Sequence, residues 1–258
     1  MAAEAFFVRD GNKFVPTELT RGPWDPKAQH GGPPAALLAS VLEGCERRED
    51  MMMVRMTFEI LKPIPLVPLT AMATLLRAGR SVHVVAGSLS ADGEEILRAQ
   101  AVRIRTADVD VPEPPSAPLA GPEAGSAPRY FRASNETGYH TAMEISFLRG
   151  NFDELGPAIV WMRMRYPVIA GEPISPLSRV LVAADSGNGV SSSLEYARFF
   201  FVNPDLTVYL YRYPVGEWIC LDAQTTATRR GVGLAVSTIS DLHGPIGRGL
   251  QSLFISAR

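Results

Sequence analysis

The sequence predicts an α+β fold in which one unit, a helix followed by antiparallel strands, occurs twice. Residues 31–105 and 172–257 each contain a short apolar helix and then strand-like runs. A proline at the helix start, a turn glycine and a glutamine seven residues after that glycine recur in both units: Pro33, Gly93 and Gln100, then Pro176, Gly244 and Gln251. We expect each sheet to wrap around its own helix and the two sheets to join edge to edge, because that pairing covers exposed sheet edges.

The first unit begins with a helix from Pro33 to Gly44. Its apolar face consists of four residues with helical spacing: Leu37, Leu38, Val41 and Leu42. Four runs of strand length follow, separated by proline, Gly-Arg or Asp-Gly turn signals: Met52 to Ile60, Leu69 to Leu76, Val82 to Ser90 and Ile96 to Ile104. A small hairpin around Gly11, formed by Phe6 to Val8 and Lys13 to Val15, is predicted ahead of this helix.

The second unit has the same order of elements. Thr141 to Phe147 and Ile159 to Arg165 are predicted strands, because Trp161 to Tyr166 alternates apolar and polar side chains. A helix is predicted over residues 175–186. Five further strands are expected: Ala197 to Val202, Leu206 to Tyr211, Trp218 to Ala223, Leu234 to Ser240 and Ser252 to Ser256.

A segment rich in proline, alanine and glycine separates the two units. Residues 108–128 show neither helical nor strand periodicity, and their prolines favour an exposed, fairly stiff linker. The sequence therefore predicts an N-terminal domain over residues 1–107 and a C-terminal domain over residues 129–258.

Composition restricts the classes of partner. The chain has 258 residues, 46% of them hydrophobic, so it can bury a sizeable core. Its 25 basic and 27 acidic residues leave a net charge of −2, which favours small or neutral partners over nucleic acid or a membrane surface. Cys45 and Cys220 are expected to be buried small residues in a reducing cytoplasm, and no stretch resembles a secretion signal or a membrane span. The two ends of a tandem sheet favour a homodimer or a larger homo-oligomer.

Asp185 is the most unusual residue of the second helix. It stands four residues after Leu181 and eight after Leu177, and so lies on the apolar stripe. It is also in the last turn, where the helix dipole disfavours an anion. Two interpretations remain open: a buried general base, or a polar turn over residues 185–189 after a helix that ends earlier. The first helix has Leu42 at the corresponding position, so one active site per chain is expected.

Three residues near the predicted strands are candidate partners of this carboxylate. Gln251 has an amide that both accepts and donates hydrogen bonds. Asn203 and Thr207 flank a Pro-Asp turn, where an amide or a hydroxyl could complete a water site. Each residue also has an ordinary explanation, as a solvated strand residue or as part of a turn.

The sequence His30-Gly31-Gly32 precedes the first helix. Its glycines let a ligand approach the backbone amides at the positive end of the helix dipole, which suits a carbonyl oxygen or a phosphate. A plain helix start is the alternative.

Other chemistries find little support in the sequence. No G-x-S-x-G sequence is present, which argues against a serine hydrolase. No metal or other cofactor is predicted, because the histidines lack the spacing of a metal site: His30, His83, His140 and His243.

Several segments together carry a resemblance to a known family. In the N-terminal half they are HGGPPAALLASVLEG, FEILKPIP and RAGRSVHVVAGSLSADGEEILRAQAVRIR. In the C-terminal half they are SPLSRVLVAADSGNG, NPDLTVYLYR, GEWICLDAQTT and GPIGRGLQSLF. With these segments the chain resembles the acyl-CoA thioesterase II family, the double hotdog thioesterases. The resemblance implies a tandem hotdog fold, hydrolysis of acyl-CoA to fatty acid and CoA, and a site of Asp, Gln and Thr or Ser that positions the attacking water.

Carried over by this resemblance, Asp185 matches the family aspartate and Gln251 matches the glutamine. The hydroxyl position falls on Asn203, counted back from Glu217-Trp218, and Thr207 is the nearest hydroxyl. At this position an amide therefore replaces a hydroxyl, which both donates and accepts hydrogen bonds at one atom.

The hypothesis that follows is water attack assisted by Asp185, with the oxyanion at Gly31 and Gly32. The acyl chain is expected between helix and sheet, in contact with residues such as Leu37, Leu181 and Phe199. Two alternatives stay open. One is a non-catalytic acyl-CoA or lipid-binding protein. The other is a hydratase or dehydratase, which is disfavoured because no histidine accompanies Asp185 in the sequence.

Overall fold

The computed structural model describes residues 4–112, 119–129 and 136–258. Within these ranges the α-helices are α1 Gly32–Gly44, α2 Tyr139–Ala142, α3 Pro176–Ala184 and α4 Gly187–Val190. The first six strands are β1 Phe7–Asp10, β2 Lys13–Pro16, β3 Met51–Ile60, β4 Leu69–Ala78, β5 Val82–Ala91 and β6 Glu94–Arg105. The others are β7 Met143–Arg149, β8 Ala158–Met164, β9 Phe199–Val202, β10 Asp205–Leu210, β11 Trp218–Ala227, β12 Val232–Asp241 and β13 Gly244–Ala257.

The described strands form one antiparallel sheet. Its order is β1-β2-β4-β5-β6-β3-β10-β13-β12-β11-β8-β7, and β9 pairs with β13. The two halves meet where β3 pairs with β10, with Thr57 opposite Thr207. The predicted fold class, two helices wrapped by antiparallel sheets that join edge to edge, is confirmed.

The core lies between the sheet and the two long helices. Leu37 and Leu42 of α1 and Val180 and Leu181 of α3 are fully buried, and each such side chain contributes roughly 1.5–3 kcal/mol through removal of apolar surface from water. The helices also contact each other. At Gly32 a Cβ atom would lie 2.6 Å from the Val182 carbonyl oxygen, so the close approach of α1 to α3 depends on glycine.

The boundaries of α3 have a local cause. The Ser175 side chain accepts a hydrogen bond from the Ser178 N–H at 3.0 Å, and Pro176 occupies the first helical position. The helix ends at Ala184 with Asp185 as its C-cap, slightly earlier than the predicted range of 175–186. The predicted strand Ser252 to Ser256 in fact begins at Gly244, because three glycines weaken the strand pattern in its first half.

The hairpin registers correct one correspondence between the two units. Ala91 pairs with Glu94 at the first hairpin, and Asp241 pairs with Gly244 at the second. The counterpart of Gln251 is therefore Ala101, and not Gln100. A slip of one residue reverses the face of a strand. Gln251 is accordingly buried in the interior, whereas Gln100 is exposed on the outside of the sheet.

The predicted linker, residues 108–128, lies partly outside the described residues, since 113–118 are not described. Its later part packs against the C-terminal half. The Trp161 Nε1–H donates to the Ala120 carbonyl at 2.8 Å, and Ser126 exchanges two backbone hydrogen bonds with Phe147. These hydrogen bonds hold this part of the segment against the C-terminal half, while none of its residues from 119 to 128 is buried.

Cys45 and Cys220 are both free thiols. Cys220 is buried, and burial raises the pKa of its thiol to about 12, whereas Cys45 is only partly buried, contrary to the expectation. Among the described helices, none has the length and hydropathy that crossing a membrane requires.

Candidate active site

The C-terminal end of α3 and the N-terminal end of α1 meet at the carboxylate of Asp185. This side chain is only 6% exposed. A Cβ atom on Gly31 would lie 2.9 Å from Asp185 Oδ2, so the glycine leaves the room that the carboxylate occupies. The chain continues through Ser186 in helical conformation into α4, so residues 185–189 are not an open polar turn. A buried carboxylate requires hydrogen-bond donors, and the structure supplies them.

Two amide side chains donate to Asp185. Asn203 Nδ2 lies 2.9 Å from Oδ1 and also 3.1 Å from the Asp205 carbonyl. Gln251 Nε2 lies 2.9 Å from the Asp185 carbonyl oxygen and 3.4 Å from Oδ1. The orientation of the Gln251 amide is fixed, because its Oε1 accepts from the Asn188 N–H at 3.0 Å. The structure thus brings Asp185, Gln251 and Asn203 together.

His30 is the third donor to Asp185. Its Nδ1 lies 3.0 Å from Oδ2 and 3.2 Å from the Gly32 N–H. One nitrogen cannot both donate to the carboxylate and accept from an amide. We assign the proton to Nδ1, because a hydrogen bond to a carboxylate is stronger than one between neutral groups. Burial lowers the pKa of His30 by more than the Asp185 charge raises it, which favours the neutral ring. In a neutral ring that carries its proton on Nδ1, Nε2 is a hydrogen-bond acceptor.

Tyr139 fixes the plane of the His30 ring. The two rings stack with their centroids 3.7 Å apart and 4° between their planes. The Tyr139 hydroxyl donates to the Val182 carbonyl at 2.8 Å and accepts from Ser186 Oγ at 2.8 Å. Burial raises the pKa of this phenol well above its ordinary value, so it stays a hydrogen-bond donor.

The structure does not bring Thr207 to this cluster. Thr207 Oγ1 lies 3.2 Å from Thr57 Oγ1 at the junction of β10 and β3. It alternates with the buried Leu206 and Val208, so its side chain lies on the outer face of the sheet. Gln251 lies on the inner face, with Asp185.

A cavity of about 530 Å³ adjoins the cluster. His30, Tyr139 and Asn188 line it where it meets the site, and most of the remaining wall is apolar or aromatic. Leu37 and Leu181, expected to contact an acyl chain, lie in the packed core instead, and neither lines this cavity. Phe199 is partly buried in β9, whereas its neighbour Phe201 lines the cavity.

Sequence reasoning missed Tyr139, Asn188 and the contact between His30 and Asp185. No spacing signals these residues, because each is brought to the site by tertiary packing. The packing of α4 near Gln251 depends on Gly187. A Cβ atom there would lie 2.9 Å from Gln251 Oε1 and from Ser237 Oγ, so this glycine lets α4 pack closely on β12 and β13.

The corresponding end of α1 is built differently. Leu42 is fully buried, and the Arg103 guanidinium donates to backbone carbonyls of the last helical turn, including those of Leu42 and Cys45. An arginine thus occupies the end of α1. Among the described residues, no three His, Cys, Asp or Glu side chains cluster in a way that would hold a metal ion.

Comparison with known structures shows the same fold. A hot dog fold protein from Alicyclobacillus acidocaldarius is 18% identical with a TM-score of 0.75, covering 98% of this chain and 96% of its own. The acyl-CoA thioesterase II TesB2 of Mycobacterium marinum is 16% identical with a TM-score of 0.66, covering 90% of each chain. The tesB protein of Mycobacterium avium subspecies paratuberculosis is 16% identical with a TM-score of 0.67, covering 97% and 96%.

Family comparison covers most of the sequence. No curated protein matches this chain. Residues 20–104 match the acyl-CoA thioesterase N-terminal domain, and residues 110–255 match the acyl-CoA thioesterase C-terminal domain. The chain therefore belongs to the acyl-CoA thioesterase family.

Proposed function

We propose that this protein hydrolyses acyl-CoA to a free acid and CoA, with Asp185 as the group that activates water. The observation that carries the proposal is a buried carboxylate that receives hydrogen bonds from His30, Asn203 and Gln251 beside a largely apolar cavity. These hydrogen bonds hold the carboxylate in one orientation. No side chain is required to form an intermediate with the substrate.

In the proposed reaction, a water held by Asp185 attacks the thioester carbonyl carbon while its proton passes to the carboxylate. The carbonyl oxygen becomes an oxyanion. We propose the Gly31 and Gly32 N–H groups at the start of α1 as its donors, because the Nδ1 proton of His30 is directed to Asp185 and this nitrogen does not accept from the Gly32 N–H. The C–S bond then breaks, the proton is delivered to the thiolate sulfur, and acid and thiol leave.

We propose Asn203, and not Thr207, for the third position. The Asn203 amide reaches the carboxylate at 2.9 Å, while Thr207 lies on the outer face of the sheet. An amide donates through N–H alone, whereas a hydroxyl both donates and accepts at one atom. Asn203 would therefore hold Asp185 in place and have less freedom than a hydroxyl to contact the water.

The test is release of CoA thiol from acyl-CoA substrates by the purified protein. We expect turnover that depends on Asp185. Binding of acyl-CoA without any thiol release would instead support a non-catalytic binding protein, which the Asn203 departure favours.

The contact between His30 and Asp185 supports a second candidate, a hydratase that adds water to an enoyl-CoA. Such chemistry uses a histidine and an acidic residue side by side, and the sequence alone gave no such pair. The structure places the two side chains 3.0 Å apart. Loss of the enoyl absorbance of an enoyl-CoA, without thiol release, would favour the hydratase over the thioesterase.

We also propose that the protein is cytoplasmic and forms a homodimer or a larger homo-oligomer. In the described sheet, β1 and β7 are the end strands. Phe7 of β1 is already bonded to the backbone of Val168 and Ala170, and Phe147 of β7 to that of Ser126, so further pairing would use the remaining stretches of these two edges. Light scattering of the purified chain gives the oligomeric state directly, and a monomeric mass at micromolar concentration would overturn this part of the proposal.

A further inference from the structure

Aromatic rings form part of the wall of the cavity beside Asp185. Five aromatic side chains line it: Trp24, Tyr139, Phe152, Tyr196 and Phe201. Trp24, Phe152 and Tyr196 are only partly buried, so part of their ring surface is exposed. Since these rings come from four separate parts of the chain, their convergence is a property of the folded cavity.

The rings on one side are held in place by one another. The Trp24 ring centroid lies 4.7 Å from that of Tyr196 and 4.9 Å from that of Phe201. The Tyr196 hydroxyl donates to the Pro23 carbonyl at 3.0 Å, and the Arg258 guanidinium lies 4.5 Å from the Tyr196 ring centroid. A wall that is already ordered loses little conformational freedom when a ligand binds.

The charges of the cavity identify the part of the substrate that it accepts. The ionised side chains that line it are Asp153 and Glu195, and no lysine or arginine does so within the part of the chain that the structure describes. Each carboxylate has an arginine partner outside the lining: Asp153 lies 2.9 Å from Arg129, and Glu195 lies 3.7 Å from Arg198. Because the described lining offers no cation that would bind phosphate groups, the cavity suits the uncharged acyl group, and we place the phosphates of CoA outside it.

We propose that this cavity selects an acyl group that carries an aromatic ring over a linear chain of equal carbon number. The inference rests on the proposed thioesterase function. When an aromatic ring of the acyl group contacts a ring of the wall, stacking or edge-to-face contact adds binding free energy beyond the burial of apolar surface. A linear chain gains binding free energy from burial alone. A linear chain is the more apolar of the two, so a plain hydrophobic cavity would give the opposite preference.

The test compares phenylacetyl-CoA with octanoyl-CoA, whose acyl groups have the same number of carbon atoms. We expect kcat/KM to be at least about threefold higher for phenylacetyl-CoA than for octanoyl-CoA. This ratio corresponds to the added binding free energy of one aromatic contact of modest strength. Equal values, or a preference for octanoyl-CoA, would overturn the inference while leaving the thioesterase proposal intact. Failure to hydrolyse any acyl-CoA would overturn the proposed function instead.

A binding measurement keeps the inference testable in that case. Quenching of tryptophan fluorescence by phenylacetate and by octanoate gives the affinity for each free acid without turnover. We expect tighter binding of phenylacetate, and the signal should come from Trp24. Tighter binding of octanoate would overturn the inference.

Variants connect the preference to the rings. Trp24→Leu and Phe152→Leu keep an apolar wall but remove a ring, so each should lower the ratio of kcat/KM for phenylacetyl-CoA to that for octanoyl-CoA. Trp218→Leu is the matched control, because Trp218 lies on β11 beside Arg163 and does not line this cavity. The ratio should be unchanged in the control. A ratio that stays constant in both cavity variants would assign the preference to something other than the rings.

Discussion

His30 Nδ1 lies 3.0 Å from Asp185 Oδ2, although the two residues belong to different halves of the chain. The contact joins the start of α1 to the end of α3. It gives the buried carboxylate a donor that neither helix alone provides. Because Asn203 and Gln251 occupy Oδ1, the carboxylate is held from both sides.

The first prediction concerns Asp185→Asn. The amide keeps the size of the side chain but cannot take a proton from water, so we expect kcat to fall at least about 10²-fold, as for the loss of a general base. Thiol release from acyl-CoA measures this. Asp222→Asn is the control, since this carboxylate is exposed and pairs with Arg149. Equal activity of Asp185→Asn and the wild type would remove Asp185 as the base.

The second prediction concerns the pH dependence of stability. Burial lowers the pKa of His30 from 6.5, so near and below that pH the unfolded chain binds more protons than the folded one. The free energy of unfolding should therefore decrease as pH falls from about 7 to about 5. His30→Gln removes this contribution, so its unfolding free energy should fall less than that of the wild type.

Denaturant unfolding at several pH values measures the difference. The pKa of His140 is also lowered by burial, but His140 is present in both proteins and cancels in the comparison. Parallel pH dependence of the two proteins would show that His30 does not titrate as its burial requires.

The sequence predicted the helices and most strands because their signals are local. Pro33 and Pro176 start the two long helices, and turn residues separate the strands of each sheet. The order of these elements predicted a sheet wrapped around each helix, and the family resemblance implied that this arrangement is a hotdog fold. The cluster around Asp185 depends on more than local signals. His30 and Tyr139 reach it only through the packing of distant segments.

The correspondence between Gln100 and Gln251 shows a second limit. Counting from a turn glycine carries an uncertainty of one residue, and in a strand one residue decides between the core and the solvent. The same limit applied to Asn203 and Thr207, which the sequence left open. The alternation of β10 distinguishes them, because Thr207 shares the outer face with Thr57.

The third prediction tests which of Asn203 and Thr207 supports the reaction. Asn203→Ala removes the donor to Asp185 Oδ1, and we expect kcat to fall about tenfold or more, since a misplaced carboxylate aligns water poorly. Asn203→Thr should retain more activity than Asn203→Ala. Thr207→Val removes the hydroxyl from the outer face and should leave kcat within about twofold. A larger loss in Thr207→Val than in Asn203→Ala would reverse our assignment.

The fourth prediction compares the buried Gln251 of β13 with the exposed Gln100 of β6. Gln251→Ala leaves the Asn188 N–H and the Asp185 carbonyl without their partner, so we expect the free energy of unfolding to fall by about 1–3 kcal/mol. Gln100→Ala, which removes only an exposed contact with Arg55, should change it by less than about 0.5 kcal/mol. Urea denaturation measures both. Similar losses would argue against the buried network.

The fifth prediction concerns Gly31→Ala. The backbone φ of Gly31 is −66°, which alanine adopts without strain, so any effect must come from the added Cβ atom. That atom would lie 2.9 Å from Asp185 Oδ2 and 3.1 Å from Oδ1, so the carboxylate must shift to relieve the contact. We expect kcat to fall at least about tenfold, because reacting groups tolerate little displacement. Gly44→Ala is the matched control at the other end of α1, where a Cβ atom meets nothing within 4 Å, and it should keep full activity. If thiol release is equally fast in both variants, the position of the Asp185 carboxylate does not limit the reaction.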